Sequence, residues 1–155
     1  MAINMKNIRQ TMRKDDGVNG DAQRLEQTIW MIFMKLFDSK EDEWEIKAGL
    51  QNKTYESAIP GKYRWKNWAL DERGMTGDEL IDFVEQMFKD LKQLPVNNVR
   101  GKIVHDVFAD THNYMKNGTL LRQVINEINK TDFNINTERH EFNDIYESML
   151  SELQS

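Results

Sequence analysis

The chain has no cysteine, which excludes disulfides, cysteine-based zinc sites and thiol chemistry together. Its eight glycines, at positions 17, 20, 49, 61, 74, 77, 101 and 118, never fall as G-x-G and never precede a Lys-Ser or Lys-Thr pair. A phosphate-cradling loop needs closely spaced glycines so that backbone N–H groups can approach the anion without a Cβ in the way, so P-loop and dinucleotide-type sites are excluded. No segment approaches the ~20 apolar residues that cross a bilayer, and the opening MAINMKNIRQ has no apolar signal run. A soluble, cytoplasmic protein with no membrane role is expected. Strand signals are scarce, with no run of period-two alternation.

Positive charge is also in short supply: 21 Lys and Arg against 26 Asp and Glu leave a net charge of −5. The overall field therefore repels polyanions, and any contact with nucleic acid needs a local patch or a basic partner.

What is present is helical periodicity. With 155 residues, 39% hydrophobic and 30% charged, the chain can form one domain burying about two thirds of its unfolded surface. Leu25, Ile29, Ile32, Phe33 and Leu36 form one stripe, and Trp30, Met31 and Met34 fill other sides, so this helix belongs at the centre of a bundle. TGDELIDFVEQMFKDLKQL opens with Thr76 and Glu79 at capping-box spacing, carries Leu80, Phe83, Val84, Met87, Phe88, Leu91 and Leu94 on one face, and stops at Pro95. Further amphipathic stretches hold Ile103, Val104, Val107 and Phe108, then Leu120, Leu121, Val124, Ile125 and Ile128, and finally Phe142, Ile145, Tyr146, Met149, Leu150 and Leu153. Short helices are expected near Asn4 to Lys14 and from Glu41 to about Gln51. The fold class is all-α: a single domain over 1–155, a bundle of about six to seven helices, with one long irregular aromatic and basic connection over about 52–75.

Candidate chemistry is sparse. His105-Asp106, with Asp110 and His112 nearby, has the look of a metal phosphohydrolase pair, but such sites need upstream histidine ligands and none precedes His105; no metal site is expected. Asp38, Glu41, Asp42, Glu43 and Glu45 form a carboxylate run, more simply a solvated helix face than acid/base machinery.

The connection is more informative. In SAIPGKYRWKNW, Lys62, Arg64 and Lys66 alternate with Tyr63, Trp65 and then Trp68. The aromatic residues suit a plug that closes a helical core, and the cations suit either phosphates or water.

Four segments, LEQTIWMIFMKLFDSKEDEWE, YESAIPGKYRWKNWA, VRGKIVHDVFAD and FNDIYESMLSEL, together resemble the N-terminal helical region of the modification (M) subunit of type I restriction-modification systems, from about Asp21 to Leu153. Leu25, Trp30, Phe33, Lys35, Leu36, Asp38 and Lys40 carry the first match, Ile59, Pro60, Tyr63, Arg64 and Trp65 the second, and Phe142, Tyr146, Glu147 and Leu150 the closing one. The resemblance implies a subunit of an adenine-specific DNA methyltransferase that works with a specificity (S) subunit, a second M subunit and a restriction (R) subunit on double-stranded DNA. In that family an S-adenosylmethionine loop of the form D-P-A-x-G-x-G and an N-P-P-F/Y site follow the helical region, and neither occurs here. The expectation is a non-catalytic N-terminal portion with no cofactor of its own, S-adenosylmethionine belonging to the parent enzyme. Lys62, Arg64, Lys66 and Arg73 become candidate DNA-phosphate contacts, Tyr63, Trp65 and Trp68 a structural plug. A stand-alone helical protein-interaction adaptor with no DNA role is the alternative.

Overall fold

A computed structural model describes residues 4–130. They form α1 (Met5–Met12), α2 (Gly20–Leu50), a 3-10 turn (Gly61–Tyr63), α3 (Trp65–Trp68), α4 (Gly77–Leu91), α5 (Val99–Ala109) and α6 (Gly118–Ile128), with no strand among the described residues. The all-α expectation is met. The expected closing helix from Phe142 to Leu153 lies outside the described residues.

The central helix is longer than its pattern suggests. Periodicity predicts a central helix carrying the stripe Leu25 to Leu36 and a short helix from Glu41 to about Gln51, but α2 runs unbroken for 31 residues, about 46 Å at 1.5 Å per residue. Neither proline nor glycine interrupts it between Gly20 and Gly49. Asp38 and Glu41, expected to lie on a solvated helix face, are themselves buried, because the connection after α2 folds back over them. Residues Ile29 to Met34 are buried on every side, as expected of a bundle centre.

Rings tie the helices to one another. Trp30 of α2 meets Phe88 of α4 edge-on at 5.0 Å, Phe88 meets Phe108 of α5 at 5.0 Å, and Phe33 meets Phe108 at 6.2 Å, the edge-to-face arrangement that the ring quadrupoles favour. α6 packs between α1 and α4 through Leu121, Val124, Ile125 and Ile128, all fully buried.

Helix starts are set by tertiary contacts as much as by caps. Thr76 is the N-cap of α4 in extended conformation, but its side chain makes no capping hydrogen bond, contrary to the capping-box spacing. The turn is made by Gly77, at φ +61°, where a side chain would be strained. A Cβ on Gly118 would lie 1.8 Å from the Gly77 carbonyl oxygen, so the starts of α4 and α6 touch backbone to backbone. Asp15 secures the same corner, accepting hydrogen bonds from the Lys116 and Asn117 amides at 2.9 to 3.1 Å.

Candidate functional site

The connection from Tyr55 to Met75 lies across α2 as a strap, and each part is fixed by a different helix. On the α2 side the fixing groups are carboxylates. Glu41, with no exposed surface, accepts from the Tyr55 hydroxyl at 2.6 Å, the Ser57 hydroxyl at 2.9 Å and the Ala58 amide at 2.9 Å. Asp38 accepts from Arg64 Nε at 2.8 Å and from the Lys66 amide at 3.1 Å. Asp42 takes Arg64 Nη2 at 2.8 Å and Lys66 Nζ at 2.9 Å, and Glu45 lies 3.5 Å from Arg64 Nη1. The carboxylate run, expected to be a solvated face, is in its inner half a receptor for the strap.

Arg64 is therefore not on the surface with the other cations. Its side chain is 8% exposed and its charge is shared among Asp38, Glu41, Asp42 and Glu45. Burial alone would weaken its hold on the proton, but the hydrogen bond and charge of Asp38, with Glu41 and Asp42, outweigh it and raise its pKa. Asp38 is pushed upward by burial, against the opposing Arg64 contacts. The sequence placed Arg64 with Lys62 and Lys66 toward phosphate, whereas the fold turns its guanidinium inward onto these carboxylates.

The aromatic residues point inward, as expected of a plug. Tyr63, Trp65 and Trp68 are 1%, 2% and 5% exposed. Trp65 and Trp68 meet at 5.3 Å, and Tyr63 and Trp68 both pack on Phe83 of α4. Their polar atoms are satisfied: Tyr63 donates to Asp90, Trp65 Nε1 to Asn129 at 2.7 Å, and Trp68 Nε1 to the Tyr63 carbonyl at 3.0 Å. On the α6 side Arg122, 5% exposed, donates to the carbonyls of Trp68, Ala69, Asp71 and Met75 at 2.8 to 3.3 Å. Arg100 of α5 stacks 3.9 Å over the Trp44 ring and also faces Tyr55, a cation–π contact that closes the strap's leading edge.

Asp90, Arg122 and Asn129 have no part in the motif reading, and Arg100 enters it only within the segment VRGKIVHDVFAD, with no role of its own. Arg122 left one trace in the sequence, a cation beside Leu121 on the apolar stripe of α6, where a long side chain can reach over the core edge.

Three candidate cations remain outward. Lys62 is exposed, its ammonium 5.0 Å from the Tyr63 ring centre. Lys66 is half-exposed beside Asp42. Arg73 is exposed, with its backbone amide held by Asp71. Elsewhere Asp106 is engaged by Lys102 at 2.6 Å and His105 at 3.1 Å, and His112 lies against Tyr114. Among the described residues no group of three or more His, Asp or Glu side chains is arranged to hold a metal ion, and no helix is long and apolar enough to cross a membrane.

The tyrosine anchors predict an alkaline transition. Burial, then the hydrogen bond to Asp90, raises the Tyr63 pKa to about 12, and burial with Glu41 raises that of Tyr55. Both phenols are neutral in the fold at pH values that ionise an unfolded tyrosine, near 10. Their stabilisation is complete below that pH and is lost as pH rises through the folded values. Phenolate absorbance should lag in the native domain and jump on unfolding. Titration of every tyrosine near pH 10 without unfolding would contradict these anchors.

This helical bundle belongs to a recognised domain class: residues 4–128 match the HsdM N-terminal domain model, and the chain belongs to that family. It is 50% identical, over 97% of its length, to the type I restriction enzyme EcoEI methylase subunit of Escherichia coli. It also superposes, with a TM-score of 0.85 and 39% identity over 97% of its length, on the crystal structure of a modification subunit assigned to a type I restriction enzyme from Vibrio vulnificus YJ016. A chain from a type I R-M system structure, 24% identical over 96% of this chain, shares the fold with a TM-score of 0.79. The chain spans 31% of the Escherichia coli relative and 34% of the Vibrio vulnificus one.

Proposed function

We propose that this domain serves as the non-catalytic N-terminal part of an adenine-specific DNA methyltransferase subunit, helping to enclose duplex DNA and to assemble with a specificity subunit, a second modification subunit and a restriction subunit. Methyl transfer from S-adenosylmethionine to adenine N6 would be the work of a separate catalytic domain, as base extrusion and cofactor binding need a pocket of their own. The observation that carries this reading is the strap, which is rigidly held from α2, α4, α5 and α6 and keeps Lys62, Lys66 and Arg73 on its outer side. A net charge of −5 suits a domain that meets DNA inside a complex whose partners supply most of the cations.

The test is a complete methyltransferase complex carrying Lys62→Ala, Lys66→Ala and Arg73→Ala. Duplex affinity should fall, and the slope of log K against log salt should become shallower by about 0.9 for each phosphate no longer neutralised. Wild-type affinity and slope would remove the strap from the DNA path. The relatives' names favour this assembly over a stand-alone adaptor.

A further inference from the structure

The strap holds the most cation-rich stretch of the sequence, yet much of its charge is neutralised by α2. A second group of cations lies elsewhere, on α1. Lys6, Arg9 and Arg13 follow one another at i, i+3, i+7 and Lys14 comes next, with no acidic residue from Met1 to Lys14. At 100° per residue the first three fall within about 60° of one another, while Ile8 and Met12 turn inward and are fully buried. All four cations are exposed, and none makes a side-chain hydrogen bond or ion pair among the described residues.

Among the described residues, the acidic groups facing α1 are few or already engaged. Asp21 is hydrogen-bonded to Arg24 at 2.7 Å; its pKa is lowered chiefly by Arg24, with lesser contributions from Arg13 and Arg9. Across the α1–α6 groove lie Glu72 and Glu127, and Glu127 is paired with Lys130 at 2.8 Å. Asp16 and Asp78 approach only the Lys14 end, where Lys116 joins them.

We infer that the outer face of α1, through Lys6, Arg9 and Arg13, is a contact surface for the phosphate backbone of duplex DNA, separate from the strap. This rests on the DNA-enclosing reading above. Three cations spread over about 10 Å of rigid helix suit a duplex, which carries one phosphate charge per ~1.7 Å. Gln10, next to Lys6 on the same helix face, is a further hydrogen-bond donor to phosphate oxygens. A protein partner fits less well: protein interfaces centre on buried aromatic or aliphatic anchors, and among the described residues the large exposed apolar ones, Ile46, Leu50, Leu70, Val96, Val99 and Ile103, all lie outside α1.

The experiment compares three complete methyltransferase complexes by fluorescence anisotropy of a labelled duplex across a salt series: wild type, the triple variant Lys6→Ala, Arg9→Ala, Arg13→Ala, and the charge-preserving Lys6→Arg, Arg9→Lys, Arg13→Lys. The triple alanine variant should bind on the order of tenfold or more weakly near 0.1 M salt, with a salt slope shallower by about two to three. The charge-preserving variant should match wild type. Binding by the alanine variant with wild-type affinity and slope overturns the inference while leaving the DNA-enclosing reading intact. So does a loss with unchanged slope that charge preservation fails to restore, which would mark a structural role. Loss of DNA binding by the wild-type complex itself would overturn the DNA-enclosing reading, and an acidic protein segment captured in its place would reassign the face.

Discussion

Arg64→Ala should lower the unfolding free energy by about 3–5 kcal/mol, the cost of leaving buried carboxylates without their counter-ion. The side chains of Asp38 and Glu41 are 9% and 0% exposed, and each lies within 4 Å of the guanidinium, so two desolvated acids lose one shared cation. Asp42 and Glu45, at 35% and 55% exposure, are screened by water and add little. Against a total stability of about 5–15 kcal/mol this is a large fraction. Arg64→Lys should recover only a minor part, because a single ammonium cannot reach Asp38 and Asp42 with separate hydrogen bonds as the planar fork does. The loss should shrink in acid: burial already pushes Asp38 upward, and without Arg64 it protonates more readily. Urea denaturation at neutral and acidic pH measures both effects. A loss under about 1 kcal/mol at neutral pH, the range of an exposed ion pair, would mean that the cluster is not the strap's anchor and would make Arg64 a phosphate-binding candidate again.

Trp65→Ala should cost a comparable ~3–5 kcal/mol, the range for emptying a buried tryptophan site. The indole is 2% exposed, stacks edge-on with Trp68 and donates to Asn129. Its removal withdraws the ring between α6 and the strap and takes a partner from the Asn129 side-chain oxygen. Asn129 would still donate to the Ala69 carbonyl at 2.8 Å, so the strap should loosen from its centre outward. Trp65→Phe keeps most of the apolar volume and should cost clearly less, on the order of 1–2 kcal/mol. Thermal unfolding gives the ranking, and limited proteolysis should show new cleavage within 52–75 in the alanine variant alone. Equal stability of the two variants would mean that the hydrogen bond, rather than the volume, carries the contribution.

Periodicity made the apolar faces of α2, α4 and α6 legible because burial of a helix follows its own 3.6-residue repeat. The same reasoning failed at Asp38 and Glu41, which read as part of a solvated helix face. They are buried by residues some 14 to 28 positions later, and no local window contains both partners. The capping-box reading at Thr76 failed for a related reason: Gly77 and Gly118 meet across the fold, and that approach sets the start of α4.

The sequence by itself determined the helical class, the central position of α2, the aromatic plug and the family resemblance, since each rests on residue type at short spacing. Tertiary structure alone decided which charges are free. Lys62, Arg64 and Lys66 read as three equivalent cations along the chain, and folding divides them into an exposed lysine, a buried guanidinium shared by four carboxylates and a half-exposed lysine beside Asp42. Among the described residues, the α1 cations Lys6, Arg9 and Arg13 make no side-chain ion pair. The physical reason is that a charge is neutralised by whatever lies within about 4 Å of it in space, and sequence order does not record that distance.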